Sequence, residues 1–228
     1  KHQINTNPAY ANLKARNQEF GAASKLSKAI RLGLGNNSNQ FADTYLASQL
    51  TAIGLNLIQK GSGVLGKRIL NIHNNPQALL GISLHKKQSL KHYFKAKYSI
   101  TANTARNNIN INIPKLKETH IVNKPKQATH LTLTAVAVTV SPYMVFPRTN
   151  TYLPLYPQHN AKGITTTTTL TLCKIENQPI NIELALTEQQ IPKDIAITLW
   201  LGISFQSTIS KKKFQIPVNK GMSCIAVL

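Results

Sequence analysis

The stretch Asn108-Ile109-Asn110-Ile111-Asn112-Ile113-Pro114 alternates asparagine with isoleucine without a break. Successive side chains of a β-strand point to opposite faces, so this pattern predicts a strand with one buried and one solvated face. Similar patterns recur at residues 93–101, 131–140, 170–173, 180–186, 195–205 and 214–218, whereas residues 142–157, rich in proline and aromatics, predict an extended loop or an edge. About seven short strands separated by Pro and Asn predict an antiparallel β-sandwich.

Before residue 75 the apolar residues recur at helical spacing. Asn7 followed by Pro8 predicts a helix start, and Gly35 with the polar run after it predicts its end. The face predicted to point inward carries Leu13, Phe20, Ala23, Leu26, Ile30 and Leu34. A second helix is predicted over residues 41–60, and a third, shorter one after Gly63. We therefore expect an α+β protein, with an N-terminal layer of two to three helices in residues 1–75 and a β-sandwich in residues 76–228.

The charge of the chain is strongly unbalanced, with 27 Lys and Arg against 7 Asp and Glu, a formal net charge of +20. A protein this cationic either contacts a polyanion or tolerates its own repulsion. So few carboxylates leave little material for paired-carboxylate catalysis. This excess of positive charge and scarcity of acids therefore favours a binding or structural role over a catalytic one.

Two lysine clusters are the candidate polyanion-binding residues: Lys86, Lys87, Lys91, Lys95 and Lys97, and then Lys211, Lys212 and Lys213. The first cluster is interleaved with Tyr93, Phe94 and Tyr98, which suits phosphate contacts combined with base stacking. The same alternation also fits a plain strand with a solvated face. Only five arginines occur, so binding to nucleic acid would be electrostatic and nonspecific.

The sequence around each candidate motif argues against catalysis or cofactor binding. The run from Gly61 to Lys67 matches G-x-G-x-x-G, but a helix is predicted before it instead of a strand, and Arg68 stands where a P-loop needs Ser or Thr. The seven histidines show no metal-ligand spacing. Cys173 and Cys224 either pair or stay as buried thiols. We expect no enzyme activity, no cofactor and no metal.

A resemblance to a known family is carried by Asn7-Pro8-Ala9-Tyr10, Arg16-Asn17-Gln18-Glu19-Phe20-Gly21, Lys25-Leu26-Ser27-Lys28 and Ala42-Asp43. This run resembles the N-terminal helical motif "DPAF…REN-x-EFG…AGKAGKLLR…ADSR" of an uncharacterised Bacteroidota family of small proteins with a β-rich C-terminal region. The similarity spans most of the chain, and its specific part is the first forty residues. The resemblance implies a bacterial protein and no activity.

The run Ser223-Cys224-Ile225-Ala226-Val227-Leu228 is apolar to its last residue, and Thr165 to Thr169 form a flat, uncharged, strand-prone stretch. These features favour a structural, self-assembling subunit, such as a filament, sheath or coat on the outside of a bacterial cell, with strand exchange between copies. The candidate assembly residues are Ile225, Val227 and Leu228. The alternative is a protein that binds nucleic acid or acidic polysaccharide nonspecifically. We expect a homo-oligomer or homopolymer and no membrane span.

Overall fold

A computed structural model describes residues 7–209 and 212–228, and they form an α+β fold with a helical layer followed by nine antiparallel strands. The predicted fold class is confirmed. The helices are α1 (Ala11–Leu34), α2 (Asn36–Phe41), α3 (Leu46–Gln59) and α4 (Leu90–Tyr93). Short 3-10 turns lie at Pro8–Tyr10, Pro76–Ala78, Glu118–His120, Pro157–His159 and Leu172–Lys174. In the described part of the chain, no helix is long and apolar enough to span a bilayer.

The strands build two stacked sheets and a hairpin. They are β1 (Ser99–Ala102), β2 (Asn108–Leu116), β3 (His130–Val140), β4 (Tyr143–Phe146), β5 (Thr151–Pro154), β6 (Lys162–Thr171), β7 (Gln178–Ala185), β8 (Ala196–Ile209) and β9 (Lys212–Val227). The small sheet has the order β1-β2-β7, the large sheet has the order β6-β3-β8-β9, and β4 pairs with β5.

The large sheet is the middle of three layers. One of its faces packs on the isoleucine face of β2, where Ile109, Ile111 and Ile113 are fully buried. Its other face packs on α1 and α3 through Val136 and Trp200. Because both faces are covered, β3 is buried from Leu131 to Val140, and the sequence there reads as more apolar than that of β2.

Asn7 and Gly35 bound the first helical segment, as the sequence predicts. The Asn7 side chain accepts a hydrogen bond from the Ala9 N–H at 2.9 Å and caps the 3-10 turn Pro8–Tyr10, which leads directly into α1. Tyr10 precedes α1 without a side-chain cap, and α1 ends at Gly35, whose φ is +56°. The predicted inward face is wrong at its first half, since Leu13 is 45% and Phe20 is 54% exposed. At 100° per residue these two side chains point roughly 120–140° away from buried Leu26, so they belong to a different face.

Other local predictions are corrected by contacts distant in sequence. Residues 61–68 form turns and no third helix, and Leu70 pairs with Tyr143 instead. The segment predicted as a strand over residues 93–101 begins at the end of α4, and only β1 is a strand there. The second predicted helix, over residues 41–60, is α3 and begins only at Leu46, whereas the polar run predicted to end the first helix forms α2. The predicted loop over residues 142–157 contains the β4–β5 hairpin, and β6 gives way to a 3-10 turn at Leu172.

Candidate polyanion-binding surface

Four lysines and one histidine from two chain segments line one open pocket of about 420 Å³, which we call the lysine pocket. Its lining is Lys95, Lys97, Pro114, Lys115, Lys117 and His120, with no carboxylate among them. All four lysines are exposed. The pocket therefore concentrates positive charge on a concave surface, which focuses the field toward an approaching anion.

The lysine pocket stands on a rigid support. Phe94 and Ala96 are buried between the exposed lysines of one segment, and Leu116 is buried between those of the other. The two segments are tied together because the Lys95 N–H donates to the carbonyl of His120 at 2.9 Å, and Phe94 pairs with Ile121 in an isolated bridge. The backbone that carries these lysines is held in place, so the fold sets the distances between their Cα atoms.

His120 also fixes the end of β2. Its Nδ1 accepts a hydrogen bond from the Lys117 N–H at 3.3 Å. The β2–β7 register shifts between Ile113 and Leu116, and this irregularity leaves Pro114 and Lys115 both on the exposed side. The bulge thus adds one lysine to the pocket that strict alternation would turn inward.

The carboxylates of the protein are mostly engaged in holding the fold. Glu19 is buried against Arg68, and Asp43 accepts the N–H groups of Tyr45 and Lys86. Glu118, the acid closest in sequence to the pocket, pairs with Lys124. Among the described residues only two lysine or arginine side chains form an ion pair with an acid, so most cationic side chains leave their field uncompensated.

The predicted lysine cluster is only partly brought together. Lys95 and Lys97 lie in the lysine pocket, whereas Lys86 lines a separate pocket with Tyr45, its Nζ 6.0 Å from the ring centroid. Lys87 lies before α4 and Lys91 lies within it, and both are exposed. The prediction for Lys211 falls outside the described residues. Lys212 and Lys213 lie in β9, paired with Ile209 and Thr208 of β8.

The predicted base-stacking role of the neighbouring aromatics is wrong. Tyr93 and Phe94 are 2% and 3% exposed and belong to the sandwich core. Tyr98 is half-buried against the same core, and burial raises the pKa of its hydroxyl, followed by a smaller contribution from Cys224. Tyr93 and Phe94 therefore belong to the core, and the lysines are the exposed groups of this surface.

Sequence reasoning missed Lys115, Lys117 and His120. The only local signal is the alternation of Lys115, Leu116 and Lys117, which is out of phase with that of the isoleucines before Pro114. What the sequence could not supply is the bridge that places this strand end beside residues 94–97. That contact joins Phe94 and Ile121, and only the folded chain shows it.

The predicted assembly residues form a paired strand within the chain. Val227 pairs with Thr198 of β8, and the N–H of Leu228 donates to the carbonyl of Ile197 at 3.0 Å. Ile225 is an extra residue between the pairs Leu199–Ala226 and Trp200–Cys224, which makes a β-bulge. Ile225 and Leu228 pack against the sandwich core, whereas Val227 packs on the helical side.

Another segment of the chain covers the outer edge of β9 at residues 222–224. The segment 81–84 runs beside it, with the N–H of Gly81 donating to Cys224 at 2.9 Å and the N–H of Leu84 donating to Met222 at 2.9 Å. The hydroxyls of Ser83 and Ser223 lie 2.7 Å apart. The chain itself therefore covers this edge of β9 at residues 222–224.

The glycine-rich run after α3 serves as a structural clamp. Glu19 accepts hydrogen bonds from Arg68 Nε at 2.8 Å and Nη2 at 2.5 Å, and from the Gly66 N–H at 2.8 Å. Burial alone would raise the pKa of Glu19, but the hydrogen bonds from Arg68 and Gly66 and the Arg68 charge lower it below its ordinary value. Arg68, which departs from the P-loop pattern, thus ties this loop to α1.

The described residues show no cluster of metal-ligating side chains, and the two cysteines do not pair. No three His, Cys, Asp or Glu side chains there come close enough to hold a metal ion. Cys173 is exposed and Cys224 is buried, and both are free thiols. No protein-family model, no curated protein and no solved structure matches this chain. The resemblance to the Bacteroidota motif stays a prediction.

Proposed function

We propose that this protein binds polyanions, either nucleic acid or acidic polysaccharide, without reading their sequence. The observation that supports this function best is the lysine pocket, in which four lysines from two segments converge with no acid in the lining. The overall charge of +20 attracts a polyanion from a distance, and the lysine pocket is the surface to which the polyanion binds.

The chemistry of the pocket favours phosphate or sulfate groups over base edges. Lysine is a flexible point charge that neutralises an anion without the planar, bidentate geometry by which arginine reads guanine. Tyr93 and Phe94 are buried and Tyr98 is half-buried, which leaves little aromatic surface for base stacking. Affinity should therefore depend on the charge density of the polymer and on salt, with little dependence on base sequence.

The test is fluorescence anisotropy with labelled single-stranded DNA, duplex DNA and heparin over a range of salt concentrations. The variant replaces Lys95, Lys97, Lys115 and Lys117 by Gln. The matched control replaces Lys14, Lys60, Lys174 and Lys193 by Gln, four exposed lysines elsewhere, and has the same net charge. Each phosphate contact contributes roughly 0.7–0.9 to the salt slope, so removing four should lower the slope by about 3.

The control variant decides between a defined surface and bulk charge. A pocket variant that loses ten-fold or more affinity beyond the control supports the proposal. Equal losses in both quadruple variants would show that no particular surface is used. Failure of the unchanged protein to bind any of the three polymers at low salt would contradict the function itself. A preference for DNA or for heparin identifies the class of polyanion.

A second candidate function, a self-assembling structural subunit, is favoured by β6. This strand ends the large sheet, and no described residue pairs with its outer side. From Gly163 to Thr171 it carries no charge and no proline, the two usual protections of an edge. Strand addition between copies would use this edge, since the edge of β9 is covered at residues 222–224.

Light scattering on Thr167→Lys tests assembly. Thr167 is exposed on β6, and a charge there opposes edge-to-edge pairing. Thr104→Lys, an exposed turn position, is the matched control. We expect an oligomer in the unchanged protein and the control and a smaller particle in Thr167→Lys. A monomer in all three at micromolar concentration would rule out assembly by this edge. The extracellular location expected for such a subunit stays a prediction.

A further inference from the structure

The arginines of this protein differ in how their guanidinium groups are satisfied. Arg68 is held by Glu19, and Arg106 donates to the carbonyls of Pro192, Lys193 and Ile195. Arg31 is different, because its Nε is buried and has no hydrogen-bond partner among the described residues. A buried donor without an acceptor costs free energy, and it commonly indicates a bound ion or water.

Arg31 lies at the wall of a cleft of about 360 Å³ between the last turns of α1 and the short helix α2. Lys28, one turn earlier on α1, lines the same cleft, together with the polar residues Ser38 and Asn39. No carboxylate lines it. Two fixed positive charges and two neutral side chains that can donate hydrogen bonds thus surround one concave space.

The nearest candidate counter-ion in the surroundings of Arg31 is already engaged. Asp43 lines an adjoining cleft with Arg31, but its carboxylate accepts the N–H groups of Lys86 at 2.7 Å and Tyr45 at 2.9 Å. His85 Nδ1 lies 4.0 Å from it, and no ion pair joins Asp43 to Arg31 among the described residues. No described carboxylate therefore forms an ion pair with the Arg31 guanidinium, and Asp43 is the acid that lies in the adjoining cleft.

We propose that the cleft of Lys28, Arg31, Ser38 and Asn39 binds a tetrahedral dianion, the phosphate of a phosphomonoester or a free phosphate or sulfate. Arg31 donates from its guanidinium edge in the bidentate geometry that such oxygens accept. Lys28 supplies the second charge, and Ser38 and Asn39 donate to the remaining oxygens. This site holds one small anion and is separate from the lysine pocket, so it does not depend on polyanion binding.

The test is thermal unfolding of the full chain in inorganic phosphate, sulfate or phenyl phosphate, with NaCl added to keep ionic strength constant. Arg31→Gln is compared with Arg16→Gln, an exposed arginine at the other end of the same helix. At 100 times its Kd, the anion should raise the Tm of the unchanged protein and of Arg16→Gln by about 5 °C or more. The Tm of Arg31→Gln should not change.

Equal rises in Tm for Arg31→Gln and Arg16→Gln would overturn the site, as would no rise in the unchanged protein. If Arg31→Gln is too unstable to melt cooperatively, phosphate titration of the unchanged protein by amide NMR decides. The Ser38 and Asn39 amide signals should then move with saturation, and signals that stay fixed would overturn the proposal. If phenyl phosphate produces the effect at a lower concentration than inorganic phosphate, the ligand is a phosphomonoester. If inorganic phosphate is effective at the lower concentration, the ligand is the free anion.

Discussion

Gly33 of α1 and Gly163 of β6 pack backbone against backbone, so closely that a Cβ on Gly163 would lie 1.7 Å from the carbonyl oxygen of Gly33. A Cβ on Gly33 would in turn lie 2.2 Å from Cγ1 of Val138 on β3. The helix can rest on the large sheet at this height only because both positions lack side chains.

The first prediction tests this contact. Gly163→Ala should lower the free energy of unfolding by about 2 kcal/mol, since the added methyl group meets backbone that cannot move aside cheaply. Gly21→Ala is the control, because a Cβ there meets nothing within 4 Å and Ala is the better helix former. It should raise the free energy of unfolding by about 0.5–1 kcal/mol. Urea unfolding measures both, and equal effects would contradict the close packing.

The second prediction concerns the acid side of the stability profile. Because the fold lowers the pKa of Glu19 below about 4.5, its contribution is complete above that pH and is lost as the pH falls toward the folded value. Glu19→Gln leaves Arg68 without its partner and should cost about 3 kcal/mol at pH 7. That deficit should shrink below pH 4.5.

Exposed Glu176 provides the matched control for Glu19. Glu176→Gln should unfold like the unchanged protein at every pH from 3 to 7 in urea. If the deficit of Glu19→Gln were as large at pH 3 as at pH 7, the role of Glu19 would lie in packing and not in charge.

The third prediction concerns the two thiols. Burial raises the pKa of Cys224 to about 12, against a weaker lowering by a backbone hydrogen bond with Ala226. Cys173 is exposed. At pH 8 a disulfide reagent should modify one thiol per chain rapidly, and Cys173→Ser should remove that fast phase. The Cys224 thiol should react only when β9 detaches, and rapid reaction of both thiols would contradict the described strand.

The fourth prediction concerns residues 224–228. Their removal takes away the pairs with Thr198 and Leu199 and the burial of Cys224, so it should lower the free energy of unfolding by at least about 2 kcal/mol. Buried Trp200, the single tryptophan, pairs with Cys224 and reports the change by fluorescence. A deletion that keeps the wild-type Tm but loses an oligomer would instead indicate a strand given to a neighbour.

Alternation predicted β2 well because its environment is simple. Ile109, Ile111 and Ile113 face the core and the asparagines between them face outward, so the pattern of the sequence equals the pattern of burial. The apolar run at the end of the chain was also predicted as a paired strand, but the bulge at Ile225 breaks its alternation, so Ile225 and Val227 pack on opposite sides. The cap of the first helical turn at Asn7 and the end of α1 at Gly35 were predictable, because capping is decided by neighbours in sequence.

The errors come from contacts between distant residues. The glycine-rich run is held as turns by Glu19, 47 residues before Gly66. The lysine pocket depends on the Phe94–Ile121 bridge, and the Arg31 cleft depends on how α2 folds back beside α1. Local pattern therefore predicted the elements, while the candidate sites arose from how those elements meet.

The pairing of Leu228 with Ile197 determines when the large sheet can be completed during synthesis of the chain. The large sheet gains its fourth strand only after residue 228 has left the ribosome, roughly 10 to 45 seconds after synthesis of this segment begins. Until then Trp200 lacks its cross-strand neighbour, and the helices made first have an incomplete surface to cover. A nascent chain therefore exposes the apolar residues of β8 that β9 covers, and we expect the yield in a cell to fall when chaperones are scarce.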